Sequence, residues 1–163
     1  MPWKGSISFR EDILAPANAI KIEYAGKEPF WICTAARNLM RDVLKLSAKD
    51  LREDDVRWDV TGEMREFYGI WRAKRSEDKW SSTWVKITAH GFISKERVGN
   101  VKIKLEGWLD TKFKWSNPLA HWMWVLFNYT FYWRQRRTYI DKSRDDIMTI
   151  REQILRTYGI LKE

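Results

Sequence analysis

Two histidines, His90 and His121, and one cysteine, Cys33, are the side chains in this 163-residue chain that could ligate a metal or serve nucleophilic chemistry. Their spacing matches no metal-ligand pattern. Cys33 falls on the apolar stripe of a helix, where a small buried hydrophobe is the ordinary reading. His90 falls on the wetter side of a strand and His121 on the polar side of a helix. Carboxylates are abundant, but Asp54-Asp55 and Asp145-Asp146 are adjacent pairs, and neighbours in sequence do not converge on one face of a helix or strand. There is no glycine-rich phosphate loop and no serine elbow. The sequence therefore assigns no catalytic residue, no metal and no cofactor.

A second kind of chemistry is recognition through cations and rings. The formal net charge is +8 and the pI about 9.6, a balance that favours acidic partners: nucleic acid, an anionic membrane surface or an acidic protein. One strand carries Lys102, Lys104, Lys112 and Lys114 on the same side as Trp108. The preceding strand adds Trp84, Lys86 and His90, and the one before it Arg72, Lys74 and Arg75. Single-stranded nucleic acid is held in this way, with bases stacked on rings and phosphates on Lys or Arg. Trp84, Lys86, Lys102, Lys104, Trp108 and Lys112 are thus a candidate nucleic-acid or anion-binding set. The alternative is an ordinary solvated sheet face.

A third pattern is the aromatic stretch from Leu119 to Trp133, in which seven of fifteen residues are aromatic: Trp122, Trp124, Phe127, Tyr129, Phe131, Tyr132 and Trp133. It runs into Arg134, Arg136 and Arg137. At 1.5 Å per residue it reaches about 22 Å, short of a hydrocarbon core of roughly 30 Å, so no transmembrane segment is expected. On a helical wheel Leu119, Leu126 and Trp133 form one apolar face, expected to contact a sheet. Ala120, Trp124, Phe127 and Phe131 form a second. His121, Asn128 and Tyr132 mark the side expected to be wet. The second face needs a cover: a ligand, another copy of the chain, or the N-terminal residues Ile7, Phe9, Ile13 and Leu14. The arginine cluster reads as a polar helix segment, a contact for an acidic partner, or a snorkelling collar at a membrane interface.

These residues must be positioned by an α+β framework. The chain has the length of a single domain (1–163) and needs no disulfide to fold. The lone cysteine and the absence of a leader-like apolar run fit a cytoplasmic protein. Strands are expected near Ser6–Phe9 and from Ala19 to Tyr24, a helix from Pro29 to about Leu46, and a short turn of helix capped by Ser47. Four strands then follow with period-two alternation: Val56–Val60, Glu66–Arg75, Trp80–Phe92 and Val101–Phe113. Short polar turns between them argue for an antiparallel meander with one dry face. Ser116-Asn117-Pro118 is a strong helix start, a capping residue followed by proline at the first helical position. No breaker follows until Gly159, and Leu119, Leu126, Trp133, Ile140, Ile147 and Ile154 recur every seven residues. The polar run Asp141–Asp146 could hold a break, and 141–163 could protrude and pair with another copy through its isoleucines.

The order of strand (Ala19 to Tyr24), helix (Pro29 to Leu46), antiparallel meander (Val56 to Phe113) and long helix from Pro118 resembles the helix-grip fold of the START-like superfamily, which includes the birch-pollen-allergen and polyketide-cyclase-like proteins. The resemblance implies a curved sheet wrapped around the C-terminal helix, with an apolar small molecule or lipid held between them. Trp58, Trp71, Trp122, Trp124, Phe127 and Phe131 are the candidate cavity residues on that reading. The sequence leaves three functions open: a non-enzymatic binder of an apolar ligand, a nucleic-acid-associated protein, and a homo-oligomeric assembly module.

Overall fold

A computed structural model of the chain describes residues 4–160. Six strands form one antiparallel, unclosed and curved sheet. They are β1 (Gly5–Asp12), β2 (Ile20–Lys27), β3 (Leu51–Asp59), β4 (Met64–Ser76), β5 (Ser81–Ser94) and β6 (Val98–Trp115). β3 to β6 are a meander, as the alternation predicts. β1 and β2 share one edge of β6: β1 pairs with its second half (Gly5 with Trp115) and β2 with its first (Ile20 with Leu105). β6 is therefore long because it carries two partners end to end.

Period-two patterning decides which face is dry. Val85, Ile87 and Ala89 on β5, and Val101, Ile103, Leu105 and Leu109 on β6, are all buried on the inner face. Two helices cover that face. α1 (Trp31–Leu44) buries Ile32, Ala36, Met40 and Leu44, a stripe at helical spacing. It starts two residues later than Pro29 would suggest. After Asn117 the chain stays helical to residue 157 in three parts: α2 (Pro118–Phe127), a π-helical turn (Asn128–Tyr132) and α3 (Trp133–Thr157). The Asn117 side chain accepts from the Ala120 N–H at 2.7 Å, the cap expected from the sequence.

α3 does not protrude. Ile147, Ile150 and Ile154 are fully buried, and α3 packs on β5, β6 and α1. Gly107 of β6 leaves room for Ile147, whose Cδ1 a Cβ there would run into. The polar run Asp141–Asp146 contains no break either. Ser143 is fully buried and Asp146 faces the sheet, where Arg75 donates to both, at 3.1 and 2.6 Å, and to Glu77 at 2.7 Å. Arg75 thus points inward, opposite to the side expected for it. The isoleucines proposed to pair with another copy are this chain's own core; Lys162 and Glu163, at the end of the expected extension, lie outside the described residues.

Candidate docking surface on the C-terminal helix

The principal departure from expectation lies in α2. Trp124 and Tyr132 are the two residues of Leu119–Trp133 that are buried, at 5 % and 3 % exposure. Trp124 stacks on Phe113 of β6 (ring centroids 4.8 Å apart) and meets Phe9 of β1 at 5.9 Å. His121 packs on Trp115 at 4.3 Å. Tyr132 reaches the β4–β5 turn, where its hydroxyl lies 2.7 Å from Ser81 Oγ and donates to Asp78 at 2.8 Å. The side expected to be wet is therefore the side held by the sheet: Tyr132 and Asn128 find polar partners there, and His121 is held by its ring contact with Trp115.

The stripe expected to be buried faces solvent. Leu119, Trp122, Met123, Leu126, Tyr129 and Trp133 are exposed by 69, 67, 63, 67, 76 and 46 %. Their intervals of three, one, three, three and four are those of an amphipathic helix, but with the apolar side outward. Phe127 and Phe131 border the same face at 39 and 69 %. Phe9 meets Trp124 and Arg136 on the inward side, so the N-terminal strand leaves the outward stripe uncovered. Ile13 and Leu14 are instead buried in the main core.

The π turn explains the inversion. A π-helical turn inserts one residue into an α-helix and swings the face that follows by about 100°. Before the turn the inward series is His121, Trp124 and Asn128; after it comes Tyr132, Arg136, Ile140 and Ser143. The step from Asn128 to Arg136 is eight residues, where seven would keep the face. Leu119 and Leu126, before the turn, continue Ile140, Ile147 and Ile154 in number but not in direction; Trp133 follows the turn, keeps the phase of Ile140 and sits at the margin of the packed face, 46 % exposed. Arg136 fixes the new phase: it donates to the Asn128 side chain at 3.1 Å, pairs with Glu11 at 3.3 Å and lies over the Phe9 ring.

Asp78 is the anchor of this end. Burial alone would raise its carboxyl, but hydrogen bonds from the Trp80 N–H, the Tyr132 hydroxyl, the Ser81 N–H and the Tyr139 hydroxyl outweigh that and hold it below the usual carboxylate range. Burial pushes Tyr132 well above the usual phenol range. Both groups thus stay in the states that make their hydrogen bond.

Charge around the face is one-sided. From Thr111 to Ile140 there is no Asp or Glu; Arg134, Arg136 and Arg137 follow the apolar stretch, with Arg136 paired to Glu11, while Lys112 and Lys114 alternate with Phe113 and so lie on the outer side of β6, away from Trp124. Arg134 lies over the Trp133 ring, and Lys79 lies over Trp80, which itself touches Phe127. Among the described residues Lys79, Arg134 and Arg137 form no ion pair. Within the face the Thr130 hydroxyl donates back to the Leu126 carbonyl at 2.8 Å.

The basic sheet face is built differently. Trp84 and Trp108 lie directly opposite each other and stack, 6.2 Å apart and 11° from parallel. Arg10 covers Trp108 and Lys74 lies over Trp84, so ring faces are already occupied. Lys86 and Lys104 share Glu106, Lys102 meets Glu23, Arg10 pairs with Asp110 and His90 with Glu66. Burial opposes the charge on Glu106, but the two lysines outweigh it and hold its carboxyl below the usual range. Lys112 is exposed at the sheet end near Trp80, whose carbonyl accepts from its N–H.

The six cavity candidates are not brought together. Trp71 is 1 % exposed and fills the space above Gly69. Trp58 packs edge-on against Phe30 beneath α1 and neighbours Phe67. Through β5, Phe67 is level with Val101, twelve positions along β6 from Phe113, where Trp124 sits; at 3.3 Å per residue this is roughly 40 Å. Trp122, Phe127 and Phe131 lie on the exposed helix. Cys33, His90 and His121 are on α1, the outer face of β5 and α2, and no metal-type cluster occurs among the described residues. Among those residues no helix is long and apolar enough to cross a membrane.

No family model and no curated protein matches the chain. Among solved structures it is similar to a protein of unknown function from Staphylococcus aureus, with 9 % identity, coverage of 97 % of this chain and 96 % of the other, and a TM-score of 0.31. A second is an uncharacterised protein from Rhizobium leguminosarum, with 7 % identity, 90 % and 99 % coverage and a TM-score of 0.21.

Proposed function

We propose that this chain is a non-enzymatic docking module, in which the sheet, α1 and α3 form the scaffold and α2 presents the working surface. The observation that carries this reading is the apolar stripe Leu119–Trp122–Met123–Leu126–Tyr129–Trp133, turned to solvent while the same helix is anchored by Trp124 and Tyr132. Contiguous exposed apolar surface of this kind marks interaction sites. Fully burying one large apolar side chain contributes about 1.5–3 kcal/mol. Six would contribute on the order of 10 kcal/mol, comparable with an association cost of about 4–15 kcal/mol. A helix-grip architecture and a cytoplasmic setting belong to the same proposal. On this reading an apolar partner is met outside the domain, rather than in a cavity between sheet and helix.

The test uses the full chain and a nonionic detergent micelle as an uncharged apolar probe. Wild-type protein should co-migrate with micelles. Trp122→Ser/Leu126→Ser/Phe131→Ser should keep its circular dichroism and melting transition but stay free. A wild-type protein indifferent to micelles, or a triple variant that unfolds, would sink the reading.

A further inference from the structure

We propose that the surface received by α2 is the anionic headgroup region of a lipid bilayer; this rests on the docking reading above. Four observations converge on it. The rim keeps cations without a carboxylate partner: Arg134, Arg137 and Lys79 form no ion pair among the described residues, and Arg134 and Lys79 lie over the rings of Trp133 and Trp80, while Arg136 is taken up by Glu11. By contrast, Lys86, Lys102 and Lys104 on the sheet face each have a carboxylate. The exposed rings are largely those with an apolar body and a polar tip, Trp122, Tyr129 and Trp133, the types that settle at a membrane interface. The backbone of the face is helical and Thr130 is satisfied internally, so the polar groups left to meet the interface are the ring tips of Trp122, Tyr129 and Trp133. Finally, the face spans Leu119–Trp133, about 22 Å of helix, and among the described residues no helix is long and apolar enough to cross a membrane, which suits lying in the interface plane.

The same observations weigh against the other occupants. A second copy docked face to face would bring the two unpaired Arg134–Arg137 rims together with no acid between them. Nucleic acid would use the cations but leave the apolar stripe in water.

Full-length protein would be sedimented with sucrose-loaded vesicles, one set of phosphatidylcholine alone and one of phosphatidylcholine with phosphatidylserine. Binding should require phosphatidylserine and weaken as salt screens it. A basic residue near an anionic surface is worth about fivefold in binding, so Arg134→Ala/Arg137→Ala should bind about thirtyfold more weakly. That variant should keep its affinity for nonionic micelles, and Trp122→Ser/Leu126→Ser/Phe131→Ser should bind neither. Micelle binding without vesicle binding overturns the lipid assignment and leaves the docking reading standing. Loss of both overturns both. Equal binding to the two vesicle types removes the headgroup assignment. A wild-type dimer in sedimentation velocity that the triple serine variant abolishes, with no vesicle binding, replaces the bilayer by a second copy.

Discussion

At the scale of single residues, burial and apolar character part company in α2, and this yields sharp contrasts. Ile147→Ala empties a fully buried site and should destabilise the protein by about 2–5 kcal/mol. Leu126→Ala removes an exposed side chain and should change stability by less than about 0.5 kcal/mol. Urea unfolding of the pair measures both, and equal losses would contradict the described packing. Asp78 makes a pH prediction. Its carboxyl is depressed in the folded protein, so its contribution is present above the unfolded value and is lost as pH falls through the folded one. Stability should therefore drop on acidification below about pH 4, more steeply in wild type than in Asp78→Asn. Matching pH profiles for the two proteins would refute the anchoring role. Burial pushes the Cys33 thiol up to about 12, so iodoacetamide at pH 8 should alkylate it slowly in native protein and readily in urea.

At the scale of elements, β3 to β6 and the start of α2 were legible because their signals are local. Strict alternation from Val101 to Phe113 can describe only a half-buried strand, and Asn117-Pro118 can open only a helix. The direction of α2 was not legible, because periodicity finds a face but does not say what lies opposite it. Leu119 and Leu126 share a repeat with Trp133, Ile140, Ile147 and Ile154, and nothing in side-chain hydrophobicity marks the residue inserted at Asn128–Tyr132, between Leu126 and Trp133. One signal was available: His121, Asn128 and Tyr132 are polar-tipped residues on one side of the helix, and each needs a partner if the helix is packed there. The π turn itself is testable by deletion. Removing Thr130 restores plain α-helix while keeping Trp124 and Ile147 inward, and should cost no more than about 1 kcal/mol. Removing Met148 rotates α3 against the sheet and should abolish the cooperative melting transition. A Thr130 deletion as damaging as that of Met148 would count against the phase argument.

At the scale of the whole molecule, function gathers at one end. The interior under α1 and α3 is occupied by Trp71, Ile87, Ile103, Leu105, Ile147 and Ile150, all at 1 % exposure or less. The outer sheet face balances most of its charges internally, whereas the Leu119–Trp133 face has the unpaired Arg134 and Arg137 beside it; a separate exposed apolar group, Val56, Val60 and Met64, lies at the β3–β4 end. The native protein should therefore bind the dye ANS without unfolding, and the triple serine variant should bind less; dye binding unchanged in the variant would place the dye's surface at the β3–β4 end instead. The single-residue slip at Asn128–Tyr132 has a further consequence, for tolerance to mutation. In a saturation scan, the intolerant positions of the C-terminal helix should fall into two heptad series offset by one, His121 and Asn128 before the slip, Arg136, Ser143 and Ile150 after it. Selection for folding and selection for docking would then act on separate letters of the same repeat, so that the surface of α2 can change its partner without asking the core for permission.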